Sequence, residues 1–447
     1  MKTNSSKRDK SQHKGNIILG KLTAKSINKI ARINKYIKRN SGKISPQNLI
    51  IGFMIMVSRS RNTYSDWVTE IGLLEKKTIS KQSLFERMNS DTENFVKAVV
   101  EKQLTEKVRP IEMKKVKREL RLFNNVMIDD STMIHLPDEL SEYYPGNVSR
   151  GKKKSQAKIH ALYNLTENNF SFLHVHSFCN NDRRLSANIL PYLQCGDLCI
   201  RDLGFAVLDV IGEFIKKGVK FISRKLFGTK VYEIKSGTEI NILKELKKKG
   251  FIDRGVLIGT KHQIKVRLIA LPIPADKASE RRRKAAKDRN RRINHSSEYY
   301  KLLGYSIFIT NIQAVNCDSE KIVQLYRLRW RIEIIFKSWK SCFSLEKLIH
   351  RQCKNIHRVN CIIYLMLLFI HLFHVIWWNE YECQVKKLNK KIQFSIIKMA
   401  NFFRQHFTEI ISNNCKKQII DLITINCAYD KRKSRENARQ LQIKLVT

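Results

Sequence analysis

Acidic residues are scarce in this chain of 447 residues, which carries 40 aspartates and glutamates against 85 lysines and arginines. The formal net charge is therefore +45 at pH 7. An excess of this size indicates a polyanionic partner, because clustered cations attract phosphates in a salt-dependent way. Charge alone does not distinguish DNA binding from association with ribosomes or with an anionic membrane surface.

The chain also lacks a regular cysteine framework and a long apolar run. Its ten cysteines follow no repeated spacing, which predicts free thiols in a reducing cytosolic compartment. The most apolar segment, residues 362–378, is at the lower length limit for a membrane span and contains two histidines. We therefore expect a buried helix there and no membrane partner. The length predicts two or three domains.

The segment of residues 326–340 contains an ordered set of polar side chains. At offsets of 0, 3, 7 and 14 residues it carries Tyr326, Arg329, Glu333 and Lys340. An α-helix turns about 100° per residue, so one continuous helix would hold all four within about 60° of one another. The apolar residues that lie largely off this stripe can pack: Ile332, Ile335, Phe336 and Trp339. The alternative is a solvated charged face, as in most helical charge runs.

This spacing resembles the Tyr-x2-Arg-x3-Glu-x6-Lys signature of bacterial DDE transposases of the IS-four class of insertion sequences. The resemblance implies that Glu333 is the last member of a metal-binding Asp-Asp-Glu triad. It also implies that the other three signature residues contact DNA phosphates near the cleaved end: Tyr326, Arg329 and Lys340. Such a triad requires two aspartates upstream, each at the end of an apolar strand.

Two apolar runs in the chain end in suitable aspartates. The first ends at Asp129 and Asp130 and continues as Ser-Thr, and the second ends at Asp202 in the sequence Asp-Leu-Gly-Phe. Members of the class commonly carry Asp-(Ser/Thr)-Thr and Asp-x-Gly-(Phe/Tyr) at these places. The resemblance therefore assigns the catalytic and metal-binding roles to Asp130, Asp202 and Glu333. Asp129 is the alternative to Asp130, because a one-residue shift reverses the face of a strand.

The resemblance also implies the cofactors and partners. Two Mg²⁺ or Mn²⁺ ions suit hard carboxylate oxygens, and two cations can stabilise the attacking and leaving oxygens of phosphodiester cleavage and strand transfer. The implied partners are double-stranded DNA at the transposon ends and target DNA, bound by a homodimer in a synaptic complex. The implied location is the bacterial cytoplasm, in association with the nucleoid.

The expected fold class is α/β, with an RNase H-like catalytic core. Alternating residues at 158–164 and 170–177 predict a β-hairpin that continues the strand of Asp130. We expect a basic helical DNA-binding domain, a first core part, an inserted β-rich domain, a second core part with the catalytic helix, and a C-terminal helical region for dimerisation. The corresponding ranges are 1–110, 120–220, 221–310, 311–380 and 381–447.

Two other interpretations remain open from the sequence. A catalytically silent DNA-binding relative would differ only in activity, because all three triad positions are filled. An unrelated basic protein that binds RNA or ribosomes would show no metal dependence and no preference for inverted-repeat ends.

Overall fold

The computed structural model describes residues 23–39, 42–105, 120–149, 151–287, 295–374, 394–412 and 416–429. These residues form a mixed α/β architecture, in which helices pack around a ten-stranded sheet. The beginning of the expected DNA-binding domain and much of the expected C-terminal region therefore lie outside the described residues.

The described N-terminal residues are helical, as expected. They form α1 (Ala24–Ile33), α2 (Pro46–Ser58), α3 (Tyr64–Glu75), α4 (Lys81–Arg87) and α5 (Ser90–Thr105). The first four begin after a hydroxyl side chain that accepts a hydrogen bond from the backbone N–H three residues on: Thr23, Ser45, Thr63 and Ser80. Such caps satisfy N–H groups that have no partner within the helix. Helix α2 is buried around most of its surface.

The strands are β1 (Val126–Leu136), β2 (Pro145–Ser149), β3 (Lys152–Asn164), β4 (Asn169–Ser177), β5 (Leu198–Arg201), β6 (Lys220–Arg224), β7 (Val231–Tyr232), β8 (Ile252–Ile258), β9 (Ile264–Pro272) and β10 (Tyr305–Thr310). They form one sheet in the order β2-β3-β1-β5-β6-β10-β9-β8-β7, and β4 also pairs with β3. The predicted hairpin is confirmed as the antiparallel β3–β4 pair, with Asn168 at positive φ in its turn.

The two predicted aspartates lie side by side at the centre of the sheet, where the parallel pairing of β1 with β5 ends. Strand β1 is antiparallel to β3 and parallel to β5, which is in turn parallel to β6. Asp129 pairs with Arg201, and the residue that follows each of them in the chain is a predicted triad aspartate. The short helix α6 (Asp182–Leu185) precedes β5, and α7 (Leu208–Lys216) connects β5 to β6. Parallel neighbours require such a crossover.

The segment 221–310, where an inserted β-rich domain is expected, adds its strands to the sheet that contains β1 and β5. The segment is rich in strands, but β10 pairs antiparallel with both β6 and β9, which joins these strands to the core sheet. The segment also contains α8 (Ile242–Lys249), α9 (Ala275–Ala286) and α10 (Ser297–Leu302). Backbone hydrogen bonding across the β6–β10 pair makes the sheet continuous between the two parts.

The prediction of one continuous helix across residues 326–340 is wrong. The chain forms α11 (Ser319–Arg327) and α12 (Trp330–Ser341), with Leu328 and Arg329 between them. The N–H of Leu328 donates to the carbonyl of Leu325 at 3.0 Å, and that of Arg329 to Tyr326 at 3.1 Å. These bonds to the third preceding residue make a tighter turn than an α-helix. Tyr326 and Leu328, on either side of the start of this turn, are both buried.

The apolar segment near the C-terminus is internal, as expected for the residues described. It forms α13 (Ile356–Leu372), which is buried over most of its length and packs against α5 and α2. Residues 375–378 of the segment lie outside the residues that the structure describes. Helices α14 (Ile396–Gln405), α15 (Phe407–Ser412) and α16 (Lys416–Asn426) follow. In the part of the chain that the structure describes, no helix is long and apolar enough to cross a membrane.

The contact between α2 and α3 requires a glycine at position 52. A Cβ atom there would lie 2.8 Å from Cγ1 and 3.3 Å from the backbone nitrogen of Ile71. We predict that Gly52→Ala lowers the free energy of unfolding by about 1–3 kcal/mol, measured by urea denaturation, because the core must shift to admit the methyl group.

Gly212→Ala in α7 is the matched control for this substitution. Its added Cβ would meet only Ile264 Cδ1 within 4 Å, at an ordinary contact distance of 3.7 Å. This variant is expected to be unchanged or more stable by up to about 1 kcal/mol, because alanine restricts the unfolded chain. Equal losses in the two variants would contradict the packing argument.

Candidate active site

The structure brings the three predicted triad residues together around one arginine. Asp130 lies in β1, Asp202 directly follows β5, and Glu333 is in the first turn of α12. Nη1 of Arg329 is 3.0 Å from Asp130 Oδ2, and Nη2 is 2.6 Å from Glu333 Oε1. Nε of Arg329 is 3.7 Å from Asp202 Oδ1. Elements far apart in sequence thus present their carboxylates to a single guanidinium group.

Asp129 lies on the opposite face of β1 and takes no part in this cluster. Its side chain is fully buried and accepts hydrogen bonds from Nε2 of His160 at 2.6 Å and Nε of Arg201 at 2.8 Å. Successive strand residues point to opposite faces, so only one of the two adjacent aspartates can face the other triad residues. The geometry therefore associates Asp130, and not Asp129, with Asp202 and Glu333.

The buried network of Asp129, His160 and Arg201 was missed by the sequence analysis. Burial alone would raise the pKa of Asp129, but the charges and hydrogen bonds of Arg201 and His160 hold it below its usual value. Arg201 also donates to the carbonyl of Ser186 at 2.8 Å. The available signal was a single arginine in the apolar run before Asp202, because a buried charge needs a partner. The network joins β1 to β5 one residue before the predicted aspartates.

Asp130 lies in an environment that favours an additional cation. Burial raises the pKa of its carboxyl group to about 7, although Arg329 and the backbone N–H of Ser131 act in the opposite direction. That N–H donates to Oδ1 at 2.8 Å. The anionic form of Asp130 is therefore incompletely compensated by the protein, and a nearby divalent ion would stabilise it.

The donor set fits hard divalent cations. All three groups are carboxylates, which suit Mg²⁺ and Mn²⁺, and the side chains of Asp202 and Glu333 are 41% and 37% exposed and so accessible to an ion. As the side chains stand, the described residues contain no group of three or more His, Cys, Asp or Glu arranged to hold a metal ion. The guanidinium of Arg329 lies among the three carboxylates instead.

The predicted DNA-contacting residues differ in their exposure. Tyr326 is buried, with its ring 4.9 Å from that of Phe308 and within 6 Å of the guanidinium groups of Arg224 and Arg329. Burial raises the pKa of its hydroxyl group. Lys340 is exposed and borders an open hollow beside the triad, whose lining also includes Thr132, Glu333 and Lys337. The DNA-contact roles of Tyr326, Arg329 and Lys340 stay predictions.

Comparison with protein families decides the class of enzyme. Residues 121–370, more than half of the chain, match the family described as the transposase DDE domain. The chain belongs to this family. A DDE transposase is an enzyme that cleaves and transfers DNA strands, so the prediction of that activity is confirmed and the catalytically silent interpretation is not favoured.

Individual relatives agree with this family. The transposase of insertion sequence element IS231F from Bacillus thuringiensis subsp. israelensis is 28% identical over 86% of this chain and 83% of its own length. The transposase of IS1151 from Clostridium perfringens is 26% identical over 87% and 88%. A piggyBac transposase from a synaptic complex with hairpin DNA aligns with 95% of this chain and 86% of its own, at 8% identity and a TM-score of 0.43. The prediction of a bacterial insertion-sequence DDE transposase is confirmed by the first two relatives and the family match.

The buried ion pair of Asp129 and Arg201 generates a stability prediction. Asp129→Asn should lower the free energy of unfolding by about 3–5 kcal/mol, because Arg201 would keep its buried charge without a compensating anion. Chemical denaturation followed by circular dichroism measures this loss.

Asp138→Asn provides the control, since Asp138 forms an ion pair of 2.7 Å with Lys154 in which both side chains are more than 40% exposed. Exposed pairs contribute about 0–1 kcal/mol, so this variant should remain close to the original protein. A small loss in Asp129→Asn, similar to that of the control, would refute a structural role for the buried pair.

Proposed function

We propose that Asp130, Asp202 and Glu333 bind two divalent ions, Mg²⁺ or Mn²⁺, and form the catalytic site of this transposase. The site would cleave DNA at the ends of an insertion sequence and transfer the freed strands into target DNA. When bound, the ions would stabilise charge on the attacking and leaving oxygens. The observation that carries the proposal is the contact of all three carboxylates with one guanidinium group.

The proposed roles of the protein residues follow from their positions. Asp130 and Asp202 extend from neighbouring strands whose alignment is held by the buried pair of Asp129 and Arg201. Glu333 approaches from α12, so the site combines two neighbouring strands and one helix. Preorganised ligands of this kind reduce the entropy that must be lost when a substrate is positioned.

We further propose an RNase H-like core built from residues 120–220 and 311–380. Support comes from the strand order β4-β3-β1-β5-β6, in which three antiparallel strands are followed along the chain by the Asp202 strand and helix α7. Residues 221–310 would then be an insertion that extends the same sheet before the chain reaches α12.

DNA binding would use basic surfaces on several elements. Lys340 is exposed beside the triad, where it could hold a phosphate as a point charge. Arg329 and Tyr326 complete the predicted contacts near the cleaved end. Helix α1 buries Ile27 and Ala31 and exposes a basic face formed by Lys25, Lys29 and Arg32. This face supports a role of the N-terminal helices in binding transposon ends. A homodimer would hold two ends in the synaptic complex, on the nucleoid in the cytoplasm.

Glu333→Gln separates catalysis from DNA binding. We expect loss of Mg²⁺-dependent cleavage of a duplex carrying the terminal inverted repeat beside the coding sequence, because a metal ligand is removed. DNA affinity should stay equal or rise, since a negative charge near the phosphates is lost.

The control is Glu320→Gln, which removes an exposed carboxylate from the first turn of α11. It should cleave like the original protein. Full cleavage by Glu333→Gln in a gel assay would exclude the proposed role of this residue.

Lys340→Ala tests the phosphate contact. Removal of one cation that neutralises a phosphate should weaken DNA binding and lower the slope of log affinity against log salt by about one unit. The ion affinity of the free protein should be little changed, because Lys340 makes no ion pair with the triad among the described residues. An unchanged salt slope would show that Lys340 is only a solvated surface charge.

A further inference from the structure

Arg329 fills the position of a counter-ion at the proposed metal site. Its side chain is only 13% exposed, and each of its three nitrogens faces a different triad carboxylate. Within the described ranges, no other lysine or arginine makes an ion pair with Asp130, Asp202 or Glu333. In the absence of ions, one positive charge therefore compensates three carboxylates.

We propose that Arg329 and the divalent ions compete for these carboxylates, so that ion binding releases Arg329 to contact a DNA phosphate. The inference rests on the proposed metal site and adds a regulation of it. A Mg²⁺ ion requires oxygen ligands at about 2.0–2.1 Å in nearly octahedral geometry. Arg329 occupies the same oxygens, Asp130 Oδ2 and Glu333 Oε1, at 3.0 and 2.6 Å. A guanidinium and an ion of the same sign cannot share them without strong repulsion.

The position of Arg329 in the chain allows this exchange of partners. It lies in the tight turn between α11 and α12, and the proposed exchange requires only a rotation of its side chain. The adjoining hollow, with Glu333 and Lys340 in its lining, is open to solvent. A phosphate that approaches Lys340 would offer Arg329 a bidentate partner of the kind arginine binds well.

The competition couples the two binding events. Coupling of binding free energies is reciprocal, so a DNA phosphate that captures Arg329 must raise the affinity for the ions by the same factor. The free protein then binds ions weakly, and the fully charged site forms when DNA and ions are both bound. Arg329 would act as a positioning residue that links the occupancy of the site to the presence of its substrate.

The test measures Mn²⁺ binding to the free full-length chain by isothermal titration and electron paramagnetic resonance. Arg329→Gln should bind Mn²⁺ about tenfold more tightly than the original protein, because charge-assisted hydrogen bonds that compete with the ion are removed. Arg327→Gln is the matched control, since it removes one positive charge from an exposed arginine at the end of α11, two residues before Arg329. Its affinity should stay within about twofold, because exposed charges are screened by solvent.

A second titration uses each protein saturated with a duplex that carries the terminal inverted repeat. The original protein should bind Mn²⁺ more tightly with this DNA than without it, whereas Arg329→Gln should lose most of that gain. Thermal unfolding without ions verifies that each variant is folded.

Equal Mn²⁺ affinity of the free original protein and Arg329→Gln would overturn the competition while leaving the metal site in place. The same rise in Arg327→Gln would also overturn it, because the effect would then be general electrostatics. If neither the original protein nor Arg329→Gln binds Mn²⁺, the proposed metal site fails and the competition with it. Tighter binding in Arg329→Gln alone supports the inference.

Discussion

The need to balance two adjacent carboxylates within β1 organises the centre of this molecule. Asp129 and Asp130 point to opposite faces of the strand, and each is buried enough to require a cation. Arg201 comes from the neighbouring strand and compensates the first, whereas Arg329 comes from a helix turn about 200 residues away and contacts the second. The two arginines thereby connect β1 to β5 on one face and to α12 on the other.

The parts of the fold that depend on local chemistry could be predicted from the sequence. The β3–β4 hairpin follows from period-two alternation and a turn in which asparagine tolerates positive φ. The sequence could indicate the three carboxylates because the two aspartates follow apolar runs and Glu333 lies in a segment with a helical pattern. Their order along the chain, together with the spacing to Arg329 and Lys340, carried the correct enzyme family.

What the sequence could not predict depends on contacts between distant residues. The break at Leu328 and Arg329 has no proline or glycine to mark it, and it coincides with the burial of Tyr326 and Leu328 against the rest of the core. The pairing of β6 with β10 joins the strands of the expected insertion to the core strands in a single sheet. The ion pair of Asp129 and Arg201 spans 72 residues, and its strand register is set by the whole sheet.

The large positive charge of the chain and the small acidic site have different physical roles. Attraction between a basic surface and DNA is long-ranged, independent of sequence and weakened by salt, so it brings the protein to any DNA. The site itself combines three carboxylates with one arginine and would repel phosphate unless further cations entered. A DNA strand can therefore be held near the surface without being placed in the site. In the proposed function, selectivity for the reacting phosphate would come from the local balance of charge around Asp130, Asp202 and Glu333, which net charge does not describe.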